Sequence, residues 1–391
     1  MSKVLHVVGL SGYGGLEQLF VAYLGALPAG SPRPAVAVKQ DVHPDFRPRL
    51  RTYPGTVYRQ KYWGSLRLPG LPVCRRLNLS RIVRAAAADK IVFWSTLPGA
   101  DWVRACRRSG TAIVYYDHGR AWQLNREAAA PLRHAGSAIA VSEAGRRILQ
   151  ERLGFSGPVA VVPNGVRFPS DPAPSPAAPE GPLRLGFAGR LVDKKGVPLL
   201  LRAAKRLDER GLDFTLAIAG DGPAREPLRE LTRDLGLSER VRFLGQVRDM
   251  PKFYRSIELL VMPSLQEPFG LTALEAAAHG VPAVVTRVDG LAGTVVDGET
   301  GFSLPATLPM SSYLELGGGW FEVPEQVYDP DTDTLRTPAI VDPAVLADLL
   351  AQLASKRDRL QIMGRRAAEH TAAEFCMARY AERLNGVLGR H

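Results

Sequence analysis

Cysteine is scarce in this chain: Cys74, Cys106 and Cys376 are the only three in 391 residues, widely spaced, with no C-x-x-C pair. A disulfide scaffold is thereby excluded, a cysteine metal site is not suggested, and a reducing cytoplasm is the expected setting. Long apolar runs are also lacking, since none approaches the roughly 18 residues that a membrane span needs. The opening stretch Lys3-Val4-Leu5-His6-Val7-Val8-Gly9 reads as a first buried strand, not as a basic-then-apolar signal peptide. Two nucleotide fingerprints are missing as well. A G-x-G-x-x-G beginning at Gly12 needs glycine at position 17, where Glu17 stands, and no G-x-x-x-x-G-K-[S/T] loop occurs. Nicotinamide-dependent and P-loop chemistry both lose their strongest support.

What remains is a chain of 391 residues, 46% hydrophobic, long enough for about two domains. Strand and helix patterns alternate throughout, the signature of a doubly wound α/β protein with parallel sheets. Strands are expected near 4–8, 35–38, 91–94, 113–117, 139–141 and 159–162, with helices near 17–27 and 143–153. A Pro/Ala/Ser-rich stretch, 169–182, reads as an exposed linker. Beyond it the pattern restarts with strands near 183–187, 214–219, 241–244, 259–262 and 283–286. The expected organisation is a domain over 1–168, the linker 169–182, and a second domain over 183–370.

Two segments carry chemistry. Glu267-Pro268-Phe269-Gly270-Leu271-Thr272-Ala273-Leu274-Glu275 sets two carboxylates eight residues apart across the start of a helix-favouring run. Glu267 falls on the incoming loop and Glu275 two turns in, so each can reach a different part of one long ligand. Between them the amides of Phe269, Gly270, Leu271 and Thr272 form a helix N-terminus, which favours phosphate. The arrangement suits a nucleotide-sugar; the bland alternative is a pair of solvated helix-end acids. Upstream, Leu185-Gly186-Phe187-Ala188-Gly189-Arg190-Leu191-Val192-Asp193-Lys194-Lys195-Gly196 reads as an apolar strand handing over to a cationic turn. An amphipathic helix follows it. Arg190 can fork onto two phosphate oxygens and Lys195 can supply a point charge, although a solvated turn has the same composition.

Charge is unevenly shared, because the net positive charge of +11 lies wholly within residues 1–182. Between Arg47 and Lys90 arginines are interleaved with Tyr53, Tyr58, Tyr62 and Trp63. Basic residues with interfacial aromatics suit an anionic membrane surface or a phosphorylated glycolipid acceptor. A nucleic-acid patch has a similar composition, but no nucleic-acid motif accompanies it, and a merely soluble Arg-rich surface is the remaining alternative.

The chain resembles a retaining glycosyltransferase of family 4, which has the GT-B fold. Gly14-Gly15-Leu16-Glu17, Tyr116-Asp117-His118-Gly119, Val141-Ser142-Glu143, Val162-Pro163-Asn164-Gly165-Val166, Gly189-Arg190-Leu191 and Ala219-Gly220-Asp221-Gly222-Pro223 carry the resemblance, in that order. Phe243-Leu244-Gly245-Gln246-Val247, Pro263-Ser264, the Glu267–Glu275 segment and Asp297-Gly298-Glu299-Thr300-Gly301-Phe302 complete it. It implies two Rossmann-like parallel-sheet domains facing a central cleft, with a last helix, within 371–391, crossing back to the first domain. The first domain is then expected to bind acceptor and membrane, the second the donor.

The resemblance also implies transfer of a hexose-type sugar, with retention and by a front-face route, from a UDP- or GDP-linked donor. The acceptor would be a glycan or glycolipid of envelope lipopolysaccharide or polysaccharide. It casts His118, Arg190, Lys195 and Glu267 as catalytic: His118 on the donor sugar, Arg190 and Lys195 on the leaving diphosphate, Glu267 on sugar hydroxyls. Gly14, Gly15 and Gly189 let backbone approach the donor, and Val247 reads the base. Phe269, Gly270, Leu271 and Thr272 present amides, and Glu275 holds the ribose hydroxyls. On the residues alone, Gly14-Gly15 is equally a plain strand–helix turn, His118 is as readily structural, and Asp117 either orients its ring or caps the loop. Neither cofactor nor metal is expected, despite the Asp-x-Asp spacing of Asp329-Pro330-Asp331-Thr332-Asp333. A long connection over 306–342 departs from the family pattern and reads as a lid or an acceptor-contacting loop. The rival readings are a nucleotide-sugar 2-epimerase on the same fold and a noncatalytic sugar-nucleotide or lipid-binding subunit.

Overall fold

A computed structural model describes residues 2–12, 14–169 and 181–389, so the greater part of the expected 169–182 linker lies outside the described residues. The chain divides into two compact units, residues 1–165 with 377–391, and residues 166–376. Each is built on one wholly parallel main sheet.

In the first unit seven strands pair in the order Val57–Arg59, Ala35–Val38, Val4–Val8, Lys90–Trp94, Ala112–Asp117, Ser137–Ala140, Val159–Val161. Runs such as Val-Leu-His-Val-Val and Ile-Val-Phe-Trp are near-continuously apolar because helices cover both faces of such a sheet. The edge strand Val57–Arg59, too short to show a pattern, was not expected. The terminal helix, expected within 371–391, runs Met377–Gly389, because Cys376 adopts an extended conformation that ends the helix Arg357–Phe375. It packs on the helix Gly15–Ala26, with Tyr23 donating to Asn385 at 2.8 Å and Lys90 donating to the Leu388 carbonyl at 2.9 Å.

His6 is fully buried on the interior strand Val4–Val8, edge-on to Phe20, Tyr23 and Trp94. The Trp94 indole, a donor only, bonds His6 Nδ1 at 3.0 Å, so that nitrogen carries no proton. Burial pushes the imidazole pKa down to about 3.

The second unit repeats the scheme with six strands: Val241–Gly245, Phe214–Ala219, Leu183–Ala188, Leu259–Met262, Ala283–Thr286, Gly301–Leu304. The helix Val197–Glu209 buries Val197, Leu200, Leu201, Ala204 and Leu207, spaced three and four apart, against Leu185, Phe187, Leu216 and Ile218 of the sheet. In both sheets the strand order reverses beside the first strand, and ligands of open α/β sheets bind outside the carboxyl ends at that point. In the second unit the reversal lies between Leu183–Ala188 and Leu259–Met262, paired at Leu185 and Leu259. The two chemistry-bearing segments leave those two strands.

The long connection is an ordered piece of the second unit. It holds a helix, Met310–Glu315, a hairpin of Val327–Asp329 with Thr334–Arg336, and a short pairing of Leu308–Pro309 with Ala339–Ile340. Tyr313 and Ile340 join Leu199 and Leu265 in a shared apolar cluster.

His6 is neutral when folded and has an ordinary pKa near 6.5 when unfolded. The unfolded chain therefore binds the proton first as pH falls. Stability from this group is complete above 6.5 and is lost towards about 3, at about 1.4 kcal/mol per pH unit. Denaturant midpoints between pH 7 and 5 are expected to fall less steeply in His6→Asn, whose amide oxygen can still accept from Trp94. An identical acid limb in the variant contradicts this account.

Candidate functional site

The geometry of the second unit's site starts at Gly196. Its φ of +67° favours glycine, and a Cβ there would lie 1.9 Å from the Pro263 carbonyl oxygen. Without one, the turn Asp193–Lys195 lies against the chain leaving Leu259–Met262, and the Lys194 carbonyl accepts the amides of Leu265 (2.8 Å) and Gln266 (3.2 Å). Lys195 is thereby delivered to Glu267, which it contacts in an ion pair with both side chains mostly buried.

The acid loop is fixed by Asp289, itself buried. One of its oxygens accepts the Glu267 amide at 3.0 Å, the other the Tyr328 amide at 2.7 Å, linking loop and long connection. Gly270, at φ +101°, caps the helix Leu271–Ala278. Leu271 and Thr272 therefore supply its first two amides, which have no intrahelical acceptor. Because the helix begins at Leu271, Glu275 stands just over one turn in, where two had been expected. Phe269 is buried edge-on to Phe375.

Glu275 is half-buried and accepts a 2.8 Å hydrogen bond from the Tyr254 hydroxyl through Oε2. Burial raises its pKa and the Tyr254 bond opposes the rise. Val247 packs into the cluster that contains Ala188, Tyr254 and Ala276, so it shares a wall with Tyr254 and the Glu275 helix. Arg190 and Lys194 both pair with Glu322 of the long connection, at 2.7 and 2.8 Å. Gly189 donates its amide to the Ala219 carbonyl at 3.0 Å, so backbone pairing already engages that group.

In the first unit His118 follows the strand Ala112–Asp117 and is stacked on Trp94 at 5.1 Å. Its amide donates to Ser95 Oγ at 2.9 Å. Burial lowers its pKa to about 3, with Asn164 opposing, yet both His118 Nε2 and Asn164 Oδ1 are buried without a well-formed partner among the described residues. The neutral imidazole thus keeps a buried nitrogen without a well-formed hydrogen bond. Asp117 takes the amides of Gly119 and Ala121 and the Tyr115 hydroxyl, each at 2.9 Å, so it caps the loop. Gly14 caps the helix Gly15–Ala26 and its amide bonds Glu17 at 3.1 Å, leaving Gly15 at the first helical position.

The aspartates of 329–333 each have a different side-chain partner. Asp329 pairs with Arg336, Asp331 with Arg287, and Asp333 accepts from Tyr328. Among the described residues no group of three or more His, Cys, Asp or Glu is positioned to hold a metal ion. Reasoning from the sequence missed Asp193, Asp289, Tyr254 and Glu322, because each acts through a partner far away in sequence.

Residues 13–168 match the family described as Glycosyltransferase Family 4, and residues 173–312 match Glycosyl transferases group 1. A D-inositol 3-phosphate glycosyltransferase of Corynebacterium diphtheriae is 34% identical over 213 residues, covering 52% of this chain and 42% of its own length. The chain thus spans about two fifths of that relative. A GDP-mannose-dependent alpha-(1-6)-phosphatidylinositol monomannoside mannosyltransferase of Mycolicibacterium smegmatis is 30% identical over 305 residues, covering 66% of this chain and 78% of its own length. Among solved structures, Anabaena HepE in complex with UDP-glucose superposes with a TM-score of 0.71 at 18% identity, covering 100% of both chains, which shows the GT-B fold.

Gly196→Ala combines a positive φ with a backbone clash, so it is expected to destabilise the second unit by about 2 kcal/mol or more. A denaturation midpoint equal to that of the parent contradicts the close approach.

Proposed function

The chain belongs to glycosyltransferase family 4, and from that premise we propose that it moves a hexose from a UDP- or GDP-linked donor, with retention, to a glycan or glycolipid acceptor of the cell envelope. The observation that carries this reading is the mostly buried Lys195–Glu267 pair, with Glu267 on the loop that leads into the helix Leu271–Ala278, beyond the second sheet's reversal point. The M. smegmatis relative is named for GDP-mannose and a phosphatidylinositol glycolipid, and the HepE complex holds UDP-glucose. Both agree with such a donor, and the M. smegmatis relative with such an acceptor.

In the proposed mechanism the amides of Gly270, Leu271 and Thr272 and the side chains of Arg190 and Lys195 take the diphosphate. The bond from the sugar's anomeric carbon to the phosphate oxygen breaks while the acceptor oxygen attacks the same face. The acceptor's proton passes to the leaving phosphate. Negative charge grows on that phosphate, and fixed cations and amides stabilise it where it develops. The donor is neutralised by cations of the chain itself, so neither cofactor nor metal has a role in the scheme. Glu267, steadied by Lys195, holds sugar hydroxyls, and His118 offers Nε2 to another. Glu275 spends one oxygen on Tyr254 and keeps the other for the ribose, next to Val247 at the base. Gly14, Gly15 and Gly189 keep the backbone low around the donor.

Acceptor binding and peripheral attachment to the inner face of the cytoplasmic membrane are assigned to the basic 47–90 region. Trp63, Leu66, Leu71, Val73 and Leu77 are exposed there beside Arg67, Arg75 and Arg76. A groove of about 600 Å³ is lined by Arg47, Arg51, Arg59 and Tyr62 together with Asp41, which already engages Arg59 and Tyr62, so a phosphorylated headgroup falls to Arg47 and Arg51. Each cation near an anionic surface contributes about 1 kcal/mol, and the attraction is screened within a Debye length.

Lys195→Ala is expected to lower kcat/KM on the order of a hundredfold, read by sugar transfer from the preferred donor. Equal rates in variant and parent remove Lys195 from the mechanism, and conversion of the donor without transfer identifies an epimerase. Nucleotide affinity is expected to decline on acidification at a pH above the ordinary glutamate value of 4.5, because protonating Glu275 removes its charge. In Glu275→Gln that acid limb should vanish; its persistence assigns the limb to another group. Co-sedimentation with anionic vesicles should be strong at low salt and fall steeply as salt is added. Absence of binding at low salt ends the membrane assignment.

A further inference from the structure

The long connection returns a carboxylate to the cations of the site. Glu322 places Oε1 2.7 Å from Arg190 and Oε2 2.8 Å from Lys194, one oxygen on each cation, as a bridging phosphate does. The chain just before it is clamped. The buried Asp193 carboxylate accepts the amides of Gly319 (2.6 Å), Trp320 (2.8 Å) and Phe321, its own amide donates to the Phe321 carbonyl at 2.9 Å, and Tyr313 donates to its carbonyl at 2.8 Å. Glu322 follows this clamp at φ +57°, a left-handed conformation that costs a side-chain-bearing residue energy and persists where the surroundings impose it. The strained residue is thus the one that reaches the cations, and the rigid support ends one residue before it.

We infer that Glu322 is a built-in stand-in for the donor's phosphate, which the incoming nucleotide displaces and which returns to the cations to drive out the nucleoside diphosphate product. This rests on the assignment of the Arg190 loop to the diphosphate. A carboxylate and a diphosphate cannot both sit on Arg190, with Lys194 and Lys195 beside it in the same turn, since like charges so close repel. The diphosphate wins because it carries more charge and more acceptor oxygens. Once the product's terminal phosphate has released the proton taken from the acceptor, it carries a negative charge that the donor lacked, so the same cations hold it more tightly than the donor. A tethered competitor offsets that tightening at high effective concentration. Before the donor arrives, Glu322 keeps Arg190 and Lys194 close together despite their mutual repulsion, so the cations need little rearrangement to receive phosphate.

The test measures equilibrium affinity and dissociation rate of UDP and GDP for the full chain, Glu322→Gln, Glu322→Ala and Arg190→Ala. Gln keeps the size of the side chain and removes its charge. Both Glu322 variants are expected to bind the preferred nucleotide about tenfold tighter, through slower dissociation, since two partly exposed ion pairs no longer compete. Arg190→Ala is expected to bind it more weakly. Unchanged or weaker binding in the Glu322 variants, with the Arg190→Ala defect present, overturns the inference while leaving the donor assignment standing. Unchanged affinity in Arg190→Ala overturns the donor assignment, and the inference falls with it.

Discussion

The missing side chain at position 196 sets the site. With a Cβ there, the carbonyl of Pro263 would be struck at 1.9 Å, and the turn carrying Lys194 and Lys195 could not lie along the chain after Leu259–Met262. The cationic loop and the acid loop leave neighbouring strands of one sheet, yet adjacency of strands alone does not bring side chains into register. The backbone hydrogen bonds from Leu265 and Gln266 to Lys194 do that, and they need the close approach. Lys195 and Glu267 then meet as mostly buried partners, a pairing that is tolerable because each charge satisfies the other.

Two further buried carboxylates hold what the glycine permits. Asp193 gathers three successive amides of the long connection, and Asp289 joins the acid loop to the hairpin that follows. An ionised carboxylate bonded to several amides is an anchor of high local strength. The long connection is therefore part of the scaffold of the cationic and acid loops, and through Glu322 part of their electrostatics. Three cations in a short turn would repel one another; Glu267 and Glu322 balance them from two directions.

Much of this was legible in the sequence. Apolar runs of four to six residues gave the interior strands to within a residue or two, because a strand covered on both faces must be apolar throughout. Val57–Arg59 escaped because three residues at an edge, half exposed, carry no period, and Gly301–Leu304 because Gly-Phe-Ser-Leu is not a continuous apolar run. At the site, Arg190, Lys195, Glu267 and the Gly270 cap stood out since loop, charge and helix start are local features. Glu275, expected two turns into the helix, stands just over one turn in because the helix opens only at Leu271. Glu322, Asp289 and Tyr254 were not legible: their partners lie 132, 22 and 21 residues away, and only the packed chain brings them together.

The central claim is that one diphosphate is held by Lys195 and the amides that open the helix Leu271–Ala278. A crystal structure of the chain with its preferred nucleotide-sugar tests this most directly. Phosphate oxygens are expected within hydrogen-bonding distance of Lys195 Nζ and of the Leu271 and Thr272 amides, with a ribose hydroxyl on Glu275. A diphosphate bound elsewhere in the chain, with these groups contacting only each other, contradicts the account.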